Sequence, residues 1–288
     1  MNDAPPLVSD LVLIGGGHAH VHVLKMLGMP KGRGIVWEHG IRVTLIARDV
    51  HTPYSGMLPG FVAGHYSYDD IHLDLEKLCR FANVRLLHTS AIGITGEKIQ
   101  CEDGRPSVRY DAVSIDIGSA PAGSPPQFVT PVKPIAHFCE QYLKIRESLH
   151  KNATHYSLSN PFILLVVGGG AGGIELALSV QYSLRQICQQ QGVEPDVVKV
   201  VLATRGNMLL EQHNRGTQRI FQRILKERNV EVIYGAEAVD AKLVEGETNG
   251  GKNLYPYTLV DGKLVVSHFI CCYYSVKEKD AGSVTRIA

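Results

Sequence analysis

Two glycine clusters hold the chemistry most legible in this 288-residue sequence. Gly168-Gly169-Gly170-Ala171-Gly172-Gly173 has the spacing Gly-x-Gly-x-x-Gly, and Gly15-Gly16-Gly17-His18-Ala19-His20 repeats it except at its last position. Glycine at the first position permits a tight turn, and at the second lets backbone approach a diphosphate. At the third it lets a helix pack closely on a strand. Bare amide N–H groups and the positive end of the helix dipole then receive the phosphate charge. Each cluster is therefore a candidate dinucleotide turn. In the earlier one, a histidine side chain at position 20 is expected to push the helix away from its strand.

Such turns work only between a buried strand and a helix. Residues 162–167 form a continuous apolar run ending at Gly168, with a helix predicted over 174–189 and a second strand over 197–203. A further helix (218–227) and strand (230–234) follow. Residues 11–14 lead into the earlier cluster in the same way. Val21, Leu24 and Leu27 then recur at helical spacing until Gly28 and Pro30 stop the helix. Residues 31–40 read as turn-rich, and 41–47 as the second strand. This repeated order of strand, triple glycine and helix is the main organisational feature of the chain.

Between the repeats, Leu73, Leu75, Leu78 and Phe81 suggest a helix, residues 84–88 a strand, and 92–100 with 108–117 a β-meander. Glycines and prolines from Gly118 to Pro126 mark a domain crossing. A helix over 135–150 carries Phe138, Tyr142, Ile145 and Leu149 on one stripe.

Neither second strand ends on the acidic residue that grips ribose hydroxyls in NAD-specific sites. One ends at Thr204-Arg205, where Arg205 either meets a 2′-phosphate or is a solvated loop arginine. After the other come Arg48 and Asp49.

Composition narrows the class. With 44% hydrophobic and 20% charged residues and a net charge of +1, nothing favours a nucleic-acid or acidic-membrane partner. No apolar run is long enough for a transmembrane segment, and the first ten residues do not resemble a targeting peptide, so a cytoplasmic location is expected. Six cysteines (79, 101, 139, 188, 271 and 272) show no C-x-x-C pair and read as reduced thiols. His18, His20 and His22 alternate along a helix and cannot converge on one ion, so no metal site is assigned. The acids Asp69, Asp70, Asp74 and Glu76 read as solvated helix-entry residues.

Two such units, joined through residues 110–119 (YDAVSIDIGS), resemble the pyridine nucleotide-disulfide oxidoreductase superfamily in its type II NADH dehydrogenase-like branch. Residues 15–20 (GGGHAH) with 52–60 (TPYSGMLPG) are similar to flavoprotein modules found beside, or fused to, selenide, water dikinase, where a histidine at the third position is usual.

The resemblance implies an α/β fold of two Rossmann-like, three-layer ββα dinucleotide-binding domains, the second inserted in the first. Residues 1–125 would form the first segment of the FAD-binding domain, 126–268 the NAD(P)H-binding domain, and 269–288 a truncated or divergent tail. It places FAD at Gly15, Gly16, Gly17, His18, Ala19 and His20, with Arg48 near the adenosine ribose. Tyr54, Ser55, Gly56, Met57, Leu58 and Pro59 would run beside the flavin, Ala91 near the adenine, and Gly118 and Ser119 close to the cofactor. NAD(P)H falls to Gly168, Gly169, Gly170, Ala171, Gly172 and Gly173, with Glu175 near the nicotinamide and Thr204 and Arg205 at the second strand's end. Lys133, in Pro131-Val132-Lys133-Pro134, belongs to the subgroup's pattern, its role open between cofactor site and plain surface.

The pattern also departs from the family. After residue 265 the family continues to an Ala-Thr-Gly strand and a Gly-Asp that approaches the ribityl chain; here residues 269–275 read FICCYYS. The last part of the FAD domain is thus expected to be missing. The function implied is an FAD-dependent NAD(P)H oxidoreductase, with hydride passing from nicotinamide to flavin and on to a small electron acceptor, and with no catalytic side chain assigned. Alternatives are a non-catalytic nucleotide-binding remnant, or an accessory redox module for selenide, water dikinase; the partner is then either a selenide, water dikinase domain or a second copy in a homo-oligomer.

Overall fold

The computed structural model describes residues 9–118 and 129–235, together with the backbone of four later strands between 241 and 271. In chain order the elements begin with β1 (Ser9–Ile14), α1 (His18–Gly28), α2 (Pro30–Glu38) and β2 (Ile41–Ala47). Next come β3 (His51–Pro53), α3 (Leu58–Ala63), β4 (His72–Asp74), α4 (Leu75–Ala82) and β5 (Arg85–His88). β6 (Ala91–Ile94), β7 (Lys98–Cys101), β8 (Val108–Arg109) and β9 (Ala112–Ile115) complete the first half. The second half holds β10 (Val129–Pro131), α5 (Ile135–Asn152), β11 (Phe162–Val167), α6 (Ala171–Gln190), β12 (Val198–Ala203), α7 (Arg215–Glu227) and β13 (Glu231–Ile233). Last are β14 (Ala241–Thr248), β15 (Gly251–Val260), β16 (Lys263–Val266) and β17 (His268–Cys271).

Two compact units result. In the first, a parallel sheet of order β5-β2-β1-β9 is accompanied by an antiparallel β6-β7-β8 layer. Its central strands β1 and β2 are buried on both faces toward their C-terminal ends, where both faces are covered. Leu13, Val43 and Leu45 pack with Leu24 of α1 and with Leu75 and Cys79 of α4. Val12, Ile14 and Ile46 point the other way, onto Ala91, Ile99 and Cys101. The second unit has a parallel sheet of order β10-β17-β11-β12-β13 and an antiparallel β14-β15-β16 sheet. Leu164, Val166, Val200 and Leu202 pack with the buried stripe of α5 and with α6, whereas Leu165, Val201 and Ala203 line the opposite face. The fold is α/β, of the dinucleotide-binding kind.

Two local differences from the sequence reading have physical causes. Residues 30–38 form a helix where a turn-rich stretch is expected. Pro30 opens α2 with its φ preset for a helix, and no residue of α2 is buried, so no apolar stripe signals it. Leu73 belongs to β4 rather than to the following helix. α4 starts only after Asp74, whose carboxylate accepts the Lys77 N–H at 2.9 Å as an N-cap.

Residues 55–71, read as part of the first domain, pack within the second unit. Leu58, Phe61, Val62 and Ile71 join the core formed by Phe138, Tyr142 and Ile174. β17 likewise carries the second unit's sheet past residue 268, pairing with both β10 and β11 within the stretch read as a tail.

Candidate functional site

The two glycine turns are near superimposable in their bonding. The Gly15 N–H donates to the Ile46 carbonyl at 2.8 Å, and the Gly168 N–H to the Ala203 carbonyl at 2.9 Å. Each turn is thereby anchored to the end of its neighbouring parallel strand. Both first glycines adopt positive φ, +92° at Gly15 and +126° at Gly168, conformations that a side chain would strain. The helices then open at matching places, with Gly17 and Gly170 as extended N-caps.

The third positions differ. At Gly173 a Cβ would lie 1.8 Å from the Gly168 carbonyl oxygen, so only glycine fits there. His20 occupies the corresponding place in the first turn, and its imidazole is 2% exposed. Nδ1 lies 2.7 Å from the Gly15 carbonyl oxygen and Nε2 lies 2.9 Å from Ser114 Oγ. A carbonyl can only accept, so Nδ1 carries the proton and the Ser114 hydroxyl donates to Nε2. The buried imidazole thus pairs with the carbonyl of the turn's first glycine and with the neighbouring strand β9. His20→Gly, although it restores the common pattern, is therefore expected to destabilise the chain by about 2 kcal/mol through a cavity and the loss of two hydrogen bonds. Urea unfolding checks this; an unchanged midpoint would refute the packing role.

The second positions differ more. Among the described residues no atom lies within 4 Å of the Cβ sites of Gly170 and Gly172, and no side chain caps α6. That cradle is open and fits a diphosphate. Its middle glycine is fixed from behind, since a Cβ at Gly169 would lie 2.6 Å from Thr204 Oγ1 and 3.0 Å from Leu209 Cδ2. In the first turn the Asp116 carboxylate bends over Gly17: its Oδ2 accepts the Ala19 N–H at 2.8 Å and the His20 N–H at 3.2 Å. The glycine geometry fits a diphosphate, but the amides it needs are engaged by a carboxylate. Sequence reading missed Asp116. Its signal was an acid at the end of an apolar strand, and the β1/β9 register brings that end beside Ile14.

The other predicted residues fall as follows. His18 is exposed and its ring lies 4.4 Å from that of Tyr54. Arg48, at the end of β2, pairs with Asp49 at 3.2 Å, an exposed contact of little energetic weight. Ser55, Gly56 and Met57 make one turn of 3₁₀-helix, and Leu58 and Pro59 open α3, with Leu58 buried. Ala91 is buried at the start of β6. Gly118 adopts φ +73° after β9, and Ser119 lies outside the described residues. Lys133 is exposed between β10 and α5. Glu175 is exposed in the first turns of α6. Thr204 is buried, its N–H donating to the Ile233 carbonyl at 2.9 Å, and Arg205 beside it is exposed.

Cys79, Cys101, Cys139 and Cys188 are buried free thiols. Burial pushes the pKa values of Cys79 and Cys139 up to about 11, far from a reactive thiolate. The backbone of Cys271 lies in β17, and Cys272 is outside the described residues. Among the described residues no group of three His, Cys, Asp or Glu side chains is placed to hold a metal ion, and no helix is long and apolar enough to cross a membrane.

With this geometry in view, comparison with known proteins is decisive for the family. The model of the pyridine nucleotide-disulphide oxidoreductase family matches residues 9–266. The chain belongs to this family. Among curated proteins no sequence matches significantly. Solved structures share the fold at low identity. NDH2 from Plasmodium falciparum in complex with RYL-552 has a TM-score of 0.73 at 15% identity, over 93% of this chain and 55% of that one. The sulfide:quinone oxidoreductase of Aquifex aeolicus has a TM-score of 0.67 at 18% identity, over 93% and 59%. The water-forming NADH oxidase of Lactobacillus brevis, bound to NADH, has a TM-score of 0.64 at 15% identity, over 93% and 54%. The chain thus spans little more than half the length of these structures.

Proposed function

We propose that this family member is an FAD-dependent NAD(P)H oxidoreductase module, passing hydride from a reduced nicotinamide through flavin to a small acceptor. The observation that carries the reading is the open cradle of Gly168–Gly173 at the head of a buried helix, repeated in backbone form at Gly15–His20. The α6 amides bind one diphosphate, and the N-terminus of α1 binds that of FAD. Flavin, when bound, supplies the two-electron chemistry.

The chain's own residues bind and orient the coenzymes. Gly169, wedged against Thr204 and Leu209, holds the turn's backbone toward the diphosphate. Arg205, following the strand end that lacks an acid, favours tolerance of a 2′-phosphate and hence of NADPH. Glu175, exposed early in α6, is assigned to the nicotinamide side, and Arg48 and Ala91 to the adenosine of FAD. The four thiols among the described residues, all buried, argue against a disulfide as acceptor and suit a reducing compartment, leaving a quinone-like or other small acceptor. The likeness of residues 15–20 and 52–60 to modules associated with selenide, water dikinase makes such a kinase the proposed partner.

The test is the visible spectrum of the purified chain after FAD incubation. A bound yellow flavin, bleached anaerobically by NADPH or NADH, is the expected result. One observation, the Asp116 carboxylate on the first turn, favours a second reading in which only the nicotinamide coenzyme binds. Colourless protein that still binds NADPH would establish that reading and overturn the first.

A further inference from the structure

The two cradles of this chain are anchored alike, and what separates the state of their amides is one side chain, Asp116. At the second turn the amides of Gly172 and Gly173 face no carboxylate among the described residues, and the Gly170 Cβ site is open. At the first turn the matching amides, those of Ala19 and His20, both donate to Asp116 Oδ2. The Asp116 carboxyl atoms lie only 2.3 Å from where a Cβ on Gly17 would be. The carboxylate therefore occupies the space through which backbone and diphosphate are meant to meet. Asp116 is also held from below, because its own carbonyl accepts the Gly17 N–H at 3.0 Å and its N–H donates to the Ile14 carbonyl at 2.8 Å. Its backbone is thus tied to the turn, and its side chain is held there only by the two amides it accepts from.

We infer that Asp116 is an internal competitor for the diphosphate at the first turn, and that it sets this turn's affinity for FAD. The inference rests on assigning that turn to FAD. A carboxylate and a diphosphate are both anions that seek the same amides and the same positive end of α1, and the two repel each other. Flavin must displace the carboxylate before it can bind, whereas a nicotinamide coenzyme meets an open cradle. The residue that follows the corresponding strand of the second unit is Cys272, which brings no charge of this kind.

The test is titration of FAD, followed by flavin fluorescence, into the full chain and into Asp116→Asn and Asp116→Ala. Asparagine keeps the shape of the side chain and removes the charge, so it carries the test even if the alanine variant folds poorly. Asp116→Asn is expected to bind FAD about tenfold more tightly, since a charge-assisted contact no longer competes. It is also expected to melt at a lower temperature without ligand, since α1 loses its internal anion. These opposite movements separate a competitor from a merely structural residue, whose loss would lower both. Inorganic pyrophosphate, titrated by calorimetry, is expected to show the same order and isolates the cradle from flavin and adenine contacts. If the parent chain binds FAD and Asp116→Asn binds it equally or more weakly, the competitor role is overturned and the FAD assignment stands. If no form binds FAD while NADPH still binds, both fall.

Discussion

Replacing Gly173 by alanine is expected to abolish NADPH binding and to destabilise the chain by about 3 kcal/mol or more. The new methyl carbon would sit 1.8 Å from the Gly168 carbonyl oxygen, roughly half a normal contact distance. Relief requires either α6 or the turn to move. α6 cannot move cheaply, because Ile174, Leu176, Ala177, Val180, Leu184, Ile187 and Cys188 are all buried along it. The turn is held by the bond from the Gly168 N–H to the Ala203 carbonyl and by the bond from the Leu210 N–H to the Gly169 carbonyl. Whichever gives way, the amides no longer converge on one diphosphate. Coenzyme fluorescence titration with a parallel urea unfolding curve measures both effects. Gly172→Ala is the control: nothing among the described residues lies within 4 Å of its Cβ site, so stability is expected to change little. Equal behaviour of the two variants would show that close helix–strand packing is not what the third glycine provides.

The second large effect is expected at Tyr142. Its side chain is 0% exposed, lies parallel to Phe138 with ring centroids 6.0 Å apart, and donates from Oη to the Val62 carbonyl at 3.0 Å. Truncation to alanine is expected to cost about 3–5 kcal/mol, the range for a large buried aromatic. The loss has a functional side. Val62 belongs to α3, the helix that begins with the proposed flavin-side residues Leu58 and Pro59, so loosening this contact frees the segment from its core. Tyr142→Phe keeps the ring and is expected to cost about 1 kcal/mol for the lost hydrogen bond.

The pair also differs in pH response. Burial pushes the Tyr142 pKa from 10.0 up to about 12, so its neutral form is favoured in the folded chain. That contribution is fully present below pH 10 and is lost as pH rises toward about 12, because the unfolded chain ionises first. The parent chain is expected to lose stability more steeply than Tyr142→Phe over that window, as thermal melts at increasing pH would reveal. Parallel curves would mean that the phenol is not shielded from solvent.

Much of the fold was legible because its signals are local. Residues 162–167 are apolar at every position and 41–47 at all but Arg42 and Thr44, a density that marks a strand covered on both faces, and the structure gives those strands the same bounds. The stripe of Phe138, Tyr142, Ile145 and Leu149 is buried in α5 as its spacing implied. Both turns could be located because glycine is demanded by backbone conformation at Gly15 and Gly168 and by helix–strand distance at Gly173.

What escaped depends on groups far apart in sequence. Whether residues 55–71 belong with the first or the second unit is settled by Leu58, Phe61 and Ile71 finding a common core with α5 and α6, and no local pattern encodes that choice. A short apolar segment satisfies several cores equally until the surrounding helices are placed. The state of the first cradle is of the same kind. Asp116 reaches the α1 amides across almost a hundred positions, because β9 pairs beside β1 in register, with Ile115 opposite Ile14. Sequence order names the groups able to receive a phosphate. Strand register decides which of them already has a partner, since a hydrogen bond needs its two ends within about 3 Å and only the folded sheet brings them there.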